Sequence, residues 1–245
     1  PFFFQPQDGI RDPLWSRGLE MCIRDSNYPS FTSSIPNAIS NINTNDGAGF
    51  NSEYINDFEF DSAQHENIQV PQIFDSTVDG TNNFSISVWF NADILPESTS
   101  SVVSNTFFSF GGERNAFVLL GDNHNAGSVN MRCHIAGVWT TCAPSPNDSI
   151  ETGKWYNYAA TYDPSSGFVG YLNGSQVSTT SSTGAISVRT QAHNHIGCLH
   201  DVPTAASVEQ RYFTGKVGPI KVYDKVLTPA EVKNDYIAIK GRYRL

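Results

Sequence analysis

The stretch GKWYNYAATYDPSSGFVGYLNG, residues 153–174, constrains the fold more than any other part of the sequence. Along residues 154–162, Tyr156, Tyr158 and Tyr162 share one face, which is the two-residue period of a half-buried strand. Residues 163–167 then predict a turn, because proline fixes φ and glycine accepts a left-handed position. Residues 168–172 predict a second strand that leads into Asn-Gly, a pair typical of tight hairpin turns. The stretch therefore predicts antiparallel strands.

Strand signals of the same kind recur from about residue 51 to residue 223. Clear examples are NFSISVWFNAD, NTFFSFGG, NAFVLLGD and SVNMRCHIAGVWTTC. Hydrophobic residues make up 39% of the chain and aromatic residues 12%, which is enough to fill a core, whereas charged residues make up only 16%. Recurring short strands with turn residues between them predict an all-β domain.

One helix is predicted near the end of the chain, in LTPAEVKNDYIAIKG. Thr228 suits the N-cap, Pro229 the first helical position and Glu231 the third, which together form a capping box. Gly241 suits the C-terminal end. Apolar residues follow at helical spacing, namely Val232, Tyr236 and Ile239. A single terminal helix beside many strands does not indicate an α/β fold.

The domain organisation predicted from these signals has four parts. Residues 1–26 show neither strand nor helix periodicity, and RGLEMCIRDS resembles translated adapter or vector sequence at the ends of metagenomic fragments. The alternative is a genuine disordered arm. Residues 27–50 are predicted as a linker or irregular start, residues 51–240 as the β-domain and residues 241–245 as a basic tail.

The charge distribution disfavours two classes of partner. The chain carries a net charge of −9, but residues 211–245 carry +5 and the remainder −14. An acidic body lacks the clustered Lys and Arg that neutralise nucleic-acid phosphates. No apolar run approaches the length needed to cross a bilayer, so we expect no membrane insertion. The basic C-terminal stretch is either a solvated helix face or a contact for an acidic partner.

Cys133 and Cys142 flank a predicted hairpin. A two-residue turn at Gly137-Val138 would place the two cysteines directly opposite each other. Two outcomes remain open at this point, a disulfide bond or two buried free thiols.

Several motifs in order resemble the laminin G-like group of the concanavalin A-like superfamily. FEFDSAQHENIQVP is similar to the opening strand pair, FSISVWFN to the next strand, and the 153–174 stretch to the central hairpin. HIGC and YFTGKVGPIKVYDKVLTPAEVKNDY resemble the last strands and the final helix. The resemblance covers about residues 51–240. Two positions depart from the family pattern: Asn157 replaces a histidine and Gly218 an acidic residue.

This resemblance implies an all-β, concanavalin A-like jelly-roll sandwich of two antiparallel sheets with one short C-terminal helix. It also implies a non-catalytic carbohydrate-binding or adhesion module whose partners are a glycan or cell-surface polysaccharide, or other virion or adhesion proteins. The ending YIAIKGRYRL resembles marine phage virion proteins, so we expect an extracellular or virion location. The alternatives are a structural decoration or assembly domain without a glycan ligand, and a glycoside hydrolase or lyase relative.

The first candidate ligand-binding residue lies just beyond the predicted 137–138 turn. Trp139 offers an aromatic face for a sugar, and His124, Asn125 and Arg132 offer hydrogen-bonding groups. The alternative is that Trp139 only fills the edge of the sandwich.

Calcium is the expected cofactor, if one binds, because loops rich in Asp and Asn supply the oxygen ligands that it prefers. The first candidates are Asp122 in GDNHNAG and Asp201 in CLHDVP. The alternative is that these residues only form turns.

Two other clusters contain side chains of the types that catalyse reactions or bind metals. Asp57, Glu59 and Asp61 alternate onto one strand face, but their pattern and position differ from a glycosidase pair, so a solvated acidic edge is preferred. His193 and His195 share a strand face, and the preferred interpretation is that both are surface histidines rather than zinc ligands.

Overall fold

The computed structural model describes residues 49–51, 57–70, 83–95, 105–110, 116–122, 125–135, 138–186, 194–201 and 208–245. Within these ranges, the strands form two large antiparallel sheets and one small sheet, followed by a short C-terminal helix. This arrangement confirms the predicted all-β sandwich. The predicted arm at residues 1–26 and nearly all of the predicted linker lie outside the described residues.

The first large sheet has seven strands among the described residues. In spatial order they are β1 (Gly49–Asn51), β2 (Asp57–Phe60), β15 (Gly215–Tyr223), β4 (Phe84–Ala92), β9 (Trp155–Asp163), β10 (Gly167–Leu172) and β11 (Ser175–Thr180). The predicted hairpin is confirmed in this sheet: β9 pairs with β10, and Asn173-Gly174 turns the chain into β11.

The second large sheet has six strands within the same ranges. In spatial order they are β3 (Ile68–Val70), β12 (Asn194–Ile196), β5 (Asn105–Phe110), β6 (Ala116–Asp122), β7 (Asn125–Ile135) and β8 (Val138–Cys142). A two-stranded sheet, β13 (Leu199–Asp201) and β14 (Val208–Gln210), follows β12 in the chain and was not predicted as a separate unit.

The core fills the space between the two large sheets. Phe90 of β4 stacks on Phe107 of β5 with ring centroids 4.3 Å apart, so aromatic contacts join the sheets directly. Tyr158 is fully buried there, and its hydroxyl donates to the carbonyl of Ala143 at 2.8 Å. The alternation of the sequence thus places one face of each strand in a shared aromatic core.

The C-terminal helix α1 (Pro229–Lys240) begins as the sequence predicts. The Thr228 hydroxyl accepts from the Glu231 backbone N–H, and the Glu231 carboxylate accepts from the Thr228 backbone N–H. The end of the helix differs from the expected glycine stop. Gly241 keeps right-handed helical geometry and continues into a 3-10 turn, Gly241–Tyr243, and Arg244 takes the left-handed position. No helix in the described part of the chain is long and apolar enough to cross a membrane.

Helix α1 and the 3-10 turn cover the outer face of the seven-stranded sheet. Trp89 is 1% exposed beneath them, stacked on Tyr236 at 5.5 Å and packed against Tyr243 at 4.8 Å. Trp155 stacks on Tyr243 at 4.0 Å. The predicted basic tail therefore contributes a buried aromatic side chain to the domain.

Candidate functional site

The β7–β8 hairpin carries three of the four predicted ligand-binding residues, Asn125, Arg132 and Trp139. Its register pairs Ile135 with Val138 and Cys133 with Thr140, so the connection lies at residues 136–137. The predicted turn at Gly137-Val138 was therefore wrong. A register change of this kind keeps every side chain on its predicted face but changes which side chains are opposite each other.

The register also decides the question of the two cysteines. Cys142 pairs with Met131 rather than with Cys133, and both cysteines are free thiols buried in the core. Diagonal neighbours on adjacent strands lie about 7–8 Å apart, which is at or beyond the usual reach of a disulfide. Burial, followed by the neighbouring Cys142 thiol, raises the pKa of Cys133 well above its ordinary value.

The outer face of the six-stranded sheet is polar along β7. Val129, Met131, Cys133 and Ile135 point into the core, so the alternate residues Asn130, Arg132 and His134 lie on the opposite face. On β8, Thr141 is opposite Arg132 and Trp139 is opposite His134. We call these five residues, Asn130, Arg132, His134, Trp139 and Thr141, the outer polar row.

Trp139 organises one end of the outer polar row. The guanidinium carbon of Arg132 lies 5.7 Å from the centroid of the Trp139 ring, and the His134 ring lies 5.3 Å from it at 60°. Trp139 also packs on Leu199 of β13, which is 3% exposed. The indole itself stays half-buried on β8, the last strand of this sheet. A cation, an imidazole and an aromatic ring thus share one partly accessible surface.

The structure separates Asn125 from this surface. Asn125 lies at the far end of β7, seven positions from Arg132, or roughly 20 Å along an extended strand. It pairs in register with Asp122 across the β6–β7 connection, and the side chains of both lie outside the described part of the structure. His124 lies outside the described residues altogether. Arg132 and Trp139 are therefore the two predicted residues that the structure brings together.

The two predicted calcium ligands lie at strand ends whose side chains are outside the described part of the structure. Asp122 ends β6 and Asp201 ends β13, and the side chain of neither is described. No group of three or more His, Cys, Asp or Glu side chains that could hold a metal is found in the described ranges. Calcium needs six to eight oxygen ligands, and calcium binding at Asp122 and Asp201 stays a prediction.

The acidic edge that the sequence predicted is only partly solvated, because Glu59 of β2 is exposed whereas Asp57 is buried. Strand β2 lies between β1 and β15, and Asp57 is 0% exposed beneath the 3-10 turn. The Tyr243 hydroxyl donates to Asp57 Oδ1 at 2.7 Å, while Asp61 caps a short 3-10 turn at Ser62–Gln64. Burial raises the pKa of Asp57 to about 6, against the lowering effects of Tyr243, Arg242 and Lys216.

Gly218 explains one departure from the family pattern. A Cβ at this position would lie 2.3 Å from the Tyr243 hydroxyl and 3.1 Å from Asp57 Oδ1. The glycine sits in a bulge where β15 shifts register against β4, between Val217 and Ile220. An acidic side chain cannot occupy this space, because the Tyr243 hydroxyl already fills it.

Asn157 explains the other departure. Its side-chain amide donates to the Ser87 hydroxyl at 3.0 Å and to the Val88 carbonyl at 3.3 Å. Asn157 is 1% exposed and joins β9 to β4 from the helix-covered side of the sheet. This position therefore has a structural role in the described part of the chain.

The expectation of a surface histidine at position 195 was wrong. His195 is 3% exposed, and its strand β12 lies between β3 and β5 in the sheet. Its Nδ1 lies 3.1 Å from the Asn67 side-chain oxygen. His193 lies outside the described residues.

The sequence reasoning missed three members of the outer polar row, namely Asn130, His134 and Thr141. The signal was present in VNMRCHI, where polar residues alternate with core residues and must share the face opposite the core. Applying this alternation to β7 would have placed Asn130 and His134 beside Arg132.

Solved structures with the same fold include binding domains of botulinum neurotoxins. The receptor-binding domain of the mosaic serotype C/D is 15% identical with a TM-score of 0.56, over 78% of this chain and 44% of that chain. The serotype DC binding domain in complex with SialylT is 11% identical with a TM-score of 0.58, over 79% and 45%. The same domain in complex with rat synaptotagmin II is 10% identical with a TM-score of 0.57, over 79% and 45%. This chain thus spans less than half the length of these structures, and the likeness concerns the fold.

The family assignment rests on the sequence itself. No curated protein matches this chain. A laminin G-type family model described as the concanavalin A-like lectin/glucanases superfamily matches residues 62–233, which include the seven-stranded sheet from β4 onward and the whole β7–β8 hairpin. Because that match covers well over half of the sequence, the chain belongs to the laminin G-like family of the concanavalin A-like lectin/glucanases superfamily.

Proposed function

We propose that this domain is a non-catalytic carbohydrate-binding module and that the outer polar row is its binding surface. The observation that carries the proposal is the contact of Arg132 and His134 with a half-buried Trp139. A sugar ring packs its apolar face on an aromatic side chain while its hydroxyl groups meet polar neighbours. The fold is compatible with this role, because neighbours of the same fold include a complex with SialylT.

A role in glycan cleavage is not supported by the described carboxylates. A retaining or inverting glycosidase needs two facing carboxyl groups beside the scissile bond. Asp57 is buried under Tyr243 and Asp61 caps a turn, so the three acidic residues of this segment do not form a facing pair. The outer polar row therefore favours the binding of a saccharide over its cleavage.

The larger setting follows from the sequence resemblance. We expect an extracellular protein or a phage virion protein, in which this domain attaches its carrier to a surface polysaccharide. Calcium dependence also stays a prediction from the Asp-rich loops at Asp122 and Asp201.

A glycan array probed with the full chain tests the proposal, once with calcium and once with a chelator. We expect binding that Trp139→Ala reduces about tenfold or more, because the ring contact is lost. Ile237→Ala is the matched control, since it removes a side chain that is 48% exposed on the helix-covered side. Binding that persists unchanged in Trp139→Ala would refute the proposed surface. Binding that occurs with calcium and is lost with the chelator would show that binding requires calcium.

A second candidate function is a structural decoration or assembly domain that contacts a protein partner through α1. One observation favours it: the exposed part of this segment combines Ile237 and Leu245, 48% and 47% exposed, with the basic side chains of Lys233 and Arg244. If no glycan binds in either condition, Lys233→Glu in a pull-down from the natural assembly becomes the decisive test. Loss of a partner in that variant would establish the assembly role.

A further inference from the structure

The C-terminal 3-10 turn covers a buried carboxyl group that has few hydrogen-bond partners. Asp57 is 0% exposed, and its Oδ1 accepts a hydrogen bond from the Tyr243 hydroxyl at 2.7 Å. Its Oδ2 has no hydrogen-bond partner among the described residues. A buried carboxylate needs several donors or a paired cation, because removal from water disfavours the charged form. The space beneath the turn therefore suits a protonated Asp57 better than an ionised one.

A second buried polar atom lies under the same cover. Gly218 lies between Asp57 and Trp89, since a Cβ on this glycine would be 3.1 Å from Asp57 Oδ1 and 3.1 Å from Trp89 Cβ. The indole Nε1 of Trp89 has no hydrogen-bond partner in the part of the chain that the structure describes. Water that entered beneath the turn would supply hydrogen bonds to the carboxylate and to the indole together.

The 3-10 turn is joined to the sheet mainly by the side chain of Tyr243, through its ring contacts and its hydroxyl. Within the described ranges, the backbone–backbone hydrogen bonds of residues 241–245 stay inside the C-terminal segment. Helix α1, by contrast, is tied to β15 by the ion pair between Lys221 and Asp235. A segment that is held by few contacts can open locally while the rest of the domain stays folded.

We propose that residues 241–245 are a clasp that is closed when Asp57 is protonated and opens locally when Asp57 ionises. Burial raises the pKa of Asp57 to about 6 while the clasp is closed, against an ordinary value of 3.8. The closed state therefore holds the proton more tightly than the open state. Closure is fully favoured below about pH 4 and weakens as the pH rises through about 6, so the aromatic surface beneath the clasp becomes more accessible near neutral pH.

The groups around Asp57 reduce the cost of its ionisation without removing that cost. Strand β1 places the uncharged Asn51 opposite it. The titratable or charged side chains that face it are Glu59 on the same strand, Lys216 on β15, and Arg242 and Tyr243 on the turn. Tyr243, Arg242 and Lys216 act to lower the pKa of Asp57, but burial outweighs them. Neither cation forms an ion pair with the carboxylate within the described ranges.

Hydrogen exchange of the Trp89 indole N–H, followed by NMR on the full chain, measures how often the clasp opens. Trp89 is 1% exposed and contacts Tyr243, so we expect its N–H to exchange only when the cover moves. Protection is the exchange rate of a free tryptophan amide divided by the measured rate at the same pH. We expect protection to fall on the order of a hundredfold between about pH 4 and about pH 7, as pKa values of about 6 when closed and 3.8 when open imply.

The backbone N–H of Tyr158 separates local opening from global unfolding. Tyr158 lies in the core on the central strand β9, so its exchange reports unfolding of the whole domain. Dilute urea should lower the protection of this amide and leave the Trp89 indole nearly unchanged, because local opening exposes little surface.

Variants at three positions assign the effect to Asp57. Asp57→Asn keeps the shape and cannot ionise, so the protection of the Trp89 indole should vary by about threefold or less across the pH range. Glu59→Gln is the matched control, because it removes an exposed carboxyl group from the same face of β2, and it should keep the full pH dependence. Tyr243→Phe keeps the ring and loses the hydroxyl that lowers the pKa of Asp57, so the loss of protection should continue to higher pH.

Two results would overturn the clasp. One is a pH dependence of the Trp89 indole that stays the same in Asp57→Asn or, if that variant does not fold, in Tyr243→Phe. The other is indole exchange that follows the Tyr158 amide at every pH and urea concentration, since opening would then be global unfolding. No saccharide enters these measurements, so their outcome is independent of the proposed carbohydrate binding.

Discussion

The two outer faces of this sandwich differ in what covers them. On the seven-stranded sheet, helix α1 and the following turn cover an aromatic surface so completely that Trp89 is 1% exposed. On the six-stranded sheet, the edge tryptophan Trp139 stays half-buried beside Arg132 and His134. The same fold thus treats its aromatic side chains in two ways. The helix-covered face stabilises the domain, whereas the other face leaves the Trp139 ring only half-buried.

The largest expected effect on stability is at the helix-covered face. Tyr243→Ala removes the ring contacts with Trp155 and Trp89 and leaves the buried Asp57 without its hydroxyl donor. We expect the free energy of unfolding to fall by about 3–5 kcal/mol, as for other buried aromatic truncations. Urea denaturation measures this change. Leu245→Ala, two residues later and 47% exposed, is the control and should change stability by about 0.5 kcal/mol or less.

The next effect is a pH dependence at the same face. The pKa of Asp57 is raised to about 6 in the folded protein, chiefly by burial, whereas Tyr243, Arg242 and Lys216 act in the lowering direction. A raised pKa means that the folded state holds the proton more tightly than the unfolded state. The stabilisation is therefore fully present below about pH 4 and is lost as the pH rises through about 6.

Asp57→Asn should flatten this dependence. We expect the unfolding free energy of the natural protein to lose about 1–3 kcal/mol from this group between about pH 4 and pH 7.5, and the Asn variant to lose less by that amount. Unfolding curves of both proteins across this range give the answer. Parallel pH profiles of the unfolding free energy for the two proteins would show that Asp57 does not titrate beneath the helix. The two faces would then not differ in having a buried group that titrates.

The smallest expected effect on stability is at the outer face of the six-stranded sheet. Trp139→Ala removes a half-buried ring that packs on Leu199, so we expect a loss of about 1 kcal/mol. The same variant has the large effect on saccharide binding proposed above. If Trp139→Ala instead destabilises the protein as much as Tyr243→Ala does, Trp139 is a structural plug of the sheet edge, and the distinction between the two faces fails.

The fold was predictable because its signals are local. The Asn173-Gly174 turn and the capping box of Thr228 and Glu231 each depend on residues within four positions of each other. The alternation of the 154–162 stretch likewise identifies both faces of β9 without knowledge of the neighbouring strands. Elements whose geometry is set by short-range chemistry can be recognised from the sequence alone.

The candidate site was predictable only in part, because its contacts are long-range or depend on register. Arg132 and Trp139 were identified as residue types that bind sugars, but the support of Trp139 by Leu199 joins positions that are far apart in sequence. The burial of Asp57 depends on Tyr243, which lies 186 residues away. The predicted register, which placed Cys133 opposite Cys142, was wrong for a different reason. A shift of the two-residue turn by one position changes the residue opposite Cys142 from Cys133 to Met131.

The position of helix α1 has a consequence for how such a domain would work in several copies. The helix lies on the outer side of the seven-stranded sheet, whereas the outer polar row lies on the outer side of the six-stranded sheet, with the core between them. If the outer polar row is the saccharide surface proposed above, a carrier bound to the helix would leave that surface facing away from it. An array of copies held in this way gains avidity, since each weak contact raises the effective concentration of the next.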